Sequence, residues 1–314
     1  MTVDMDVEPW LSDSPPKHKL YLDDIYFREA AGDCQLVLNS GATRGLEQVT
    51  FLLLKPEAVV ARRGSAILEF LAAHGFEVLG ACPAAADRHV ARSLWRYQLN
   101  AAPLALIRAL DILIQGGDFL CIGVRHPEGS RDAPAASGLA ARKGSWTGGM
   151  PGGSLRQVLG TPTMLLDFVH APDDPADVLR ELGIFFDTPA RRSFIALLLG
   201  QRKPSVTEDA RNVLSLAYAR HPSHHLDVAR SLSRVEESAN TKLDEALTAQ
   251  LAPGLARPLP AGSLLELVEW LAARPPEAPL WDRIVVAAHL VGHLRLERAP
   301  LIGPPAWERG RRGQ

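Results

Sequence analysis

Strand-forming sequence is confined to one stretch of this chain, and that confinement limits the fold more than any other feature. VTFLLLK (Val49–Lys55) is a short apolar run closed by Pro56, the pattern of a buried strand. SAILEFLAAHG (Ser65–Gly75) combines a Ser cap, helix-spaced apolar residues and a terminal Gly, and reads as a helix. FEVLGAC (Phe76–Cys82) is a second strand, residues 86–98 and 105–115 are helical, and DFLCIGV (Asp118–Val124) is a third strand. A Gly-, Ser-, Pro- and Arg-rich loop covers 127–153, MLLDFVH (Met164–His170) is the fourth strand, and Pro175–Phe186 is an apolar-periodic helix with an acidic start. The order β-α-β-α-α-β-loop-β-α predicts an α+β class: a split βαβ sandwich with helices on one face of an antiparallel sheet.

After Asp187 the strand signals vanish. Segments 190–200, 206–220, 225–250, 263–274 and 281–296 are helical by spacing, with Pro-rich breaks between them. Three parts are expected: an N-terminal extension over 1–47, an α+β domain over 48–189, and a helical domain with a basic tail over 190–314. In the extension, KLYLDDIYF (Lys19–Phe27) is apolar enough to dock, and NSGAT (Asn39–Thr43) reads as a turn. The 46% hydrophobic content is enough for a packed core, and a formal net charge of −2 argues against general affinity for nucleic acid or anionic membranes. No uncharged apolar run approaches the roughly 18 residues of a membrane span. Cys34, Cys82 and Cys121 lie far apart without a CxxC pair, which fits a reducing compartment and gives neither a disulfide framework nor a zinc site. The acidic start MTVDMDVEPW lacks the layout of a signal peptide, so a soluble, cytoplasmic protein is expected.

The chemistry concentrates in DFVHAPDDPADVLRELGIFF (Asp167–Phe186). A His ending an apolar strand just before the acidic first turn of a helix presents its imidazole at a sheet edge. Glu181, eleven residues further on, can turn its carboxylate back to the ring, fixing its tautomer and supporting the cation that forms when the ring attacks. His289 and His293 have the i, i+4 spacing that zinc sites use, but no third ligand accompanies them; His221, His224 and His225 read as a helix-start loop, and no resident metal is expected. GGMPGG (Gly148–Gly153) is equally readable as a phosphate cradle or a plain loop.

These residues resemble those of the nucleoside diphosphate kinases. That family carries Asn-x-x-His-Gly-Ser-Asp, then a helix with Glu eleven residues after the His and an apolar-Gly-apolar-aromatic-aromatic end. This chain has Asp167, His170, Ala171, Pro172 and Asp173, then Glu181 and LGIFF (Leu182–Phe186). LLLKPEAV (Leu52–Val59) is similar to the family's strand and Lys-Pro-Asp, and PGGSLR (Pro151–Arg156) to its Pro-Gly-Thr-Ile-Arg, so the resemblance spans roughly residues 49–187. It implies a ferredoxin-like fold, association into homo-oligomers, and ping-pong transfer of a terminal phosphoryl group from ATP or another triphosphate through His170, with Mg²⁺ arriving on the nucleotide. His170 and Glu181 would be catalytic. Phosphoryl transfer asks a protein mainly for positioning and for cations around the phosphoryl oxygens, which Lys55 and Arg156 would supply. Arg142 or Lys143 would add a third charge, and Ser145 and Thr147 stand in the same loop.

The departures bear on substrate choice. The family's Asn is Asp167 here, which brings a negative charge beside phosphates, and its Ser is Pro172. Val90 and Ala105 or Leu106 fall where the family has its base-stacking and phosphate-contacting aromatics, so no aromatic clamp is expected. Two functions follow as expectations: a nucleotide-dependent phosphotransferase acting on a nucleotide or small-molecule acceptor, or a catalytically weakened kinase-like scaffold whose helical half binds a partner.

Overall fold

A computed structural model of the chain describes residues 8–38, 45–145, 152–238, 242–273 and 278–303. NSGAT and Thr147 lie outside them, as does most of GGMPGG. Two helices come first, α1 (Pro15–Leu22) and α2 (Ile25–Leu38). Strand β1 (Val49–Leu54) follows, and α3 (Pro56–Val60) and α4 (Gly64–Ala73) lead to β2 (Glu77–Ala84). Helices α5 (Arg88–Leu94), α6 (Arg96–Leu99) and α7 (Leu104–Ile114) precede β3 (Phe119–Arg125). Then come α8 (Ala135–Lys143), α9 (Leu155–Leu159), the two-residue strand β4 (Val169–His170) and α10 (Pro175–Phe185). The described residues beyond are helical: α11 (Thr188–Leu198), α12 (Ala210–Arg220), α13 (Val228–Glu237), α14 (Lys242–Ala256), α15 (Ala261–Ala273) and α16 (Leu280–Leu290).

The strands form one antiparallel sheet in the order β2-β3-β1-β4, so the chain is α+β as its pattern predicts. Helices on one face do not account for the burial. All six residues of β1 are buried, as are Leu120, Cys121, Ile122 and Val124 of β3, so the sheet is covered on both faces. On one face α11 comes very close, because the register partners Gly80 and Gly123 carry no side chains. A Cβ at Gly123 would stand 2.8 Å from Leu198 Cδ2, and one at Gly80 2.9 Å from Leu197 Cδ2. Gly123→Val should therefore destabilise the fold by about 1–3 kcal/mol through overpacking. A denaturant midpoint equal to that of the parent would show that α11 can retreat at no cost.

Five local expectations are corrected. The fourth strand shrinks from 164–170 to Val169–His170: Phe168 takes φ 66°, and the Leu165 carbonyl turns inward to Lys55 instead of to a neighbouring strand. The 127–153 loop contains α8, whose Ala135, Ala136, Leu139 and Ala140 are buried. The 86–98 helix breaks at Trp95, and the 225–250 helix is two helices. The last helix stops at Leu290 rather than at 296.

The Lys19–Phe27 segment docks as expected, burying Tyr21 and Phe27. Helix α2 lies along α10, and the buried apolar cluster runs without interruption from Leu11 to Ile302, drawing on α13–α16 as well as on the sheet. No helix among the described residues is long and apolar enough to cross a membrane.

Candidate functional site

His170 ends β4 opposite Leu53 of the central strand, and α10 begins five residues later. Asp174 caps that helix by accepting the Asp177 amide, and Pro175 occupies its first turn, where an N–H is not needed. This fixes where Glu181 falls. Its two carboxylate oxygens each stand 2.9 Å from His170 Nε2. Burial pushes the Glu181 carboxyl above the usual range, and the attraction of His170 offsets this only in part. The carboxylate assigns the ring proton to Nε2. Nδ1 has no hydrogen-bond partner among the described residues, so its lone pair is the one available for attack.

Lys55 and Arg156 reach the same site from the end of β1 and from α9. Lys55 Nζ donates to Leu165 O (2.6 Å) and Asp167 Oδ1 (2.7 Å) and lies 3.0 Å from Glu57 Oε1. Arg156 donates to Gly144 O (3.0 Å) and Val169 O (3.0 Å), and its Nη2 pairs with Asp167 Oδ2. Asp167 thus bridges both cations. Burial by itself would raise its pKa, but Arg156 and then Lys55 outweigh that and hold it below the usual carboxylate range. Glu57, which the sequence reading passed over, is fully buried and accepts the amide of Phe168 at 3.2 Å, the residue with φ 66°.

Arg142 and Lys143 are placed differently. Arg142 is exposed and donates to Gly138 O on its own helix. Lys143 is buried, donates to Ala171 O at 3.1 Å, and stands 3.9 Å from Asp173 Oδ1. Burial depresses its pKa, and Asp173 offsets only part of that. The unfolded chain therefore holds this proton more firmly than the folded one. Stability accordingly rises with pH between the depressed value and the ordinary lysine value, and below that window the buried charge is a cost. Lys143→Met should gain about 1 kcal/mol at pH 7, less near pH 10, while weakening anion binding. Melting curves at the two pH values check the sign.

Two cavities meet at the His170 ring. One, of about 210 Å³, is polar and is lined by Lys143, Ser145, Arg156, Asp173, Arg180 and Glu181 among others. The other, of about 200 Å³, is walled mainly by aliphatic side chains, with Lys55, Arg156, Asp167 and His170 at one end. Trp95 and Gln98 border both. The Trp95 ring meets His170 edge-on at 5.8 Å between centroids, so an aromatic does stand beside the imidazole, although not at the positions sequence alignment pointed to. The break between α5 and α6 puts it there, and a broken helix is hard to foresee from spacing. A larger cleft of about 450 Å³, framed by Trp10, Lys17 and Arg131, touches Asp173 but is not lined by His170.

Arg180, one residue before Glu181, is the main residue the sequence did not reveal. Its side chain is 2% exposed and pairs with Asp24 at 2.8 Å. It also donates to Ser93 O (2.5 Å) and Leu94 O (3.2 Å), just before Trp95. Nearby, Lys17 Nζ reaches Asp174 (2.7 Å) and Asp177 (2.6 Å), and Tyr21 Oη donates to Asp177 at 2.5 Å. The N-terminal helices thus hold α10, and with it Glu181, in place.

As for a metal, Asp167 is committed to two cations, and no group of three or more His, Cys, Asp or Glu side chains converges among the described residues. These residues fit an ion whose ligands are phosphates and water better than one held in a protein cage. His289 Nδ1 contacts Val285 O at 2.8 Å, and His224 pairs with Asp282 at 3.0 Å, both structural contacts. Fold and site together define an α+β protein with a carboxylate-held histidine between two cavities. Compared with known proteins, the chain matches no family model and no curated relative.

Proposed function

We propose that this chain is a nucleotide-dependent phosphotransferase of the nucleoside diphosphate kinase type, built on a ferredoxin-like sandwich and working through phospho-His170. The observation that carries the reading is the His170–Glu181 pair: Nε2 lies on the carboxylate, and the ring borders two cavities that are also lined by Lys143, Lys55 and Arg156. In the first half-reaction Nδ1 attacks the terminal phosphorus of a triphosphate, and the diphosphate leaves. The ring becomes a cation whose Nε2 proton faces Glu181. Lys143 and Arg156 draw charge off the phosphoryl oxygens. Mg²⁺ on the nucleotide would neutralise the leaving diphosphate. In the second half-reaction an acceptor oxygen takes the phosphoryl group and the ring returns to its neutral state. The resemblance implies a homo-oligomer, and the sparse cysteines support a reducing, cytoplasmic setting.

Incubation with γ-labelled ATP and Mg²⁺ should give a label on the protein that acid removes and base does not, and that His170→Ala lacks. Absence of label with every triphosphate tried would sink the reading. One observation favours the weakened, scaffolding alternative: Asp167 neutralises part of the charge that phosphate would otherwise meet, because it ties up both Lys55 and Arg156. Under that alternative ATP binds weakly or not at all, and the label stays absent even in Asp167→Asn.

A further inference from the structure

The aliphatic cavity beside His170 is poorly furnished for a nucleoside. Its wall is Leu99, Ala102, Leu106, Leu110, Met164 and Leu165, and Leu296 closes it from the C-terminal segment. That segment is fastened above α6 and its following turn: the Glu297 amide donates to Ala101 O at 2.8 Å and the Leu301 amide to Tyr97 O at 2.9 Å. A ribose brings hydroxyls that need partners, and leaving them without any in an apolar wall costs affinity. Lys55 offers none, since its three donors already face Leu165 O, Asp167 and Glu57. Beside the Trp95 indole, Gln98 is the other uncharged polar side chain of the lining, and its Oε1, buried without a hydrogen bond, could accept from one hydroxyl, which leaves the second hydroxyl of a ribose against an apolar wall. At about 200 Å³ the cavity is also smaller than a typical pocket for a drug-sized ligand.

The end of this cavity carries charge where the wall is apolar. Lys55 and Arg156 stand there against Asp167 and Glu57, and Arg156 keeps one cationic donor, Nε, buried without a hydrogen bond beside the His170 ring. An anionic head joined to a compact hydrocarbon body matches that arrangement. An alcohol is a poorer match as acceptor, because attack by a hydroxyl must release a proton. The carboxylate lining this cavity is Asp167, held low by two cations; Glu57 is fully buried against Lys55, and Glu181 is engaged on Nε2.

We infer that the acceptor is the phosphate monoester of a small apolar alcohol, its hydrocarbon part in the aliphatic cavity and its phosphate facing Nδ1 of phospho-His170. A phosphate oxygen of the monoester forms the new P–O bond while the N–P bond breaks. The electron pair returns to Nδ1, which leaves a neutral imidazole with its proton still on Nε2. The product is the diphosphate ester, and no proton changes hands. The transfer step rests on the phosphotransferase reading, whereas the binding preference stands or falls without it.

The test is a calorimetric titration of the full chain with ethyl, butyl and hexyl phosphate and with AMP. Affinity should rise roughly threefold to fourfold per added methylene until the cavity is filled, with hexyl phosphate binding more tightly than AMP. Ala102→Phe, which fills the cavity, should flatten the series. Leu296→Asp, at a position 42% exposed and so safe for folding, should weaken the longer chains selectively. In the labelled protein, hexyl phosphate should discharge phospho-His170 faster than ADP does. A series that is flat in the parent overturns the inference, and so does AMP binding more tightly than hexyl phosphate and being lost in Ala102→Phe. Absence of the histidine label with an intact chain-length series would instead remove the kinase reading and leave the apolar-phosphate site standing.

Discussion

Under the proposed phosphotransfer, replacing His170 by Ala should lower turnover on the order of 10⁴-fold or more, the scale on which loss of a covalent nucleophile is felt. The reason is geometric. Glu181 already occupies Nε2 at 2.9 Å, so the proposed reaction depends on Nδ1 of this one ring. Glu181→Gln should cost less, about 10²-fold to 10³-fold, because an amide oxygen can still accept the Nε2 proton but cannot balance the ring's positive charge. The split is measured as label formed per second in a single turnover. If the glutamine variant lost as much as the alanine variant, Glu181 would be doing more than orienting the ring. If neither lost anything, phosphate would be arriving at another residue.

The second large effect concerns stability. Arg180→Ala should destabilise the protein by about 3–5 kcal/mol, because it leaves Asp24 as an uncompensated buried charge and frees the Ser93 and Leu94 carbonyls. Arg180→Lys keeps the charge but not the fork of donors, and should cost less. Denaturant unfolding monitored by far-UV signal measures both. A cost under about 1 kcal/mol for the alanine variant would mean that the N-terminal helices are fastened elsewhere. Trp95 follows the two carbonyls Arg180 holds, so the same variant should also disturb the indole edge beside His170.

Much of the sheet could be read from period and punctuation. β1 and β3 are unbroken apolar runs with turn residues at their ends, and both fall within a residue or two of where the pattern puts them. The His170–Glu181 pairing was legible for a related reason: a strand end followed by a capped, Pro-started helix leaves little freedom in where the seventh helical residue points. Lys55 and Arg156 were found as residues but not as a pair. That Asp167 spans them depends on Phe168 at φ 66°, and neither strand nor helix period encodes such a kink. Arg180 was hidden because an arginine in an amphipathic helix reads as a solvated face. Its burial is created by Asp24, 156 positions earlier, and by Tyr21 and Tyr97, whose rings lie 5.4 Å and 5.0 Å from its guanidinium carbon. Trp95 needed the break between two short helices, and α8 was concealed by a segment whose Gly, Ser and Pro content imitates a loop.

The attachment of α1 to α10 also has a bearing on synthesis. Asp174 and Asp177 are translated more than 150 positions after Lys17 and Tyr21. At roughly 5–20 residues per second, the first helix waits several seconds or longer for its acidic partners. During that interval the Tyr21 and Phe27 rings have no α10 to cover them, so the nascent segment carries exposed aromatic surface until α10 is made.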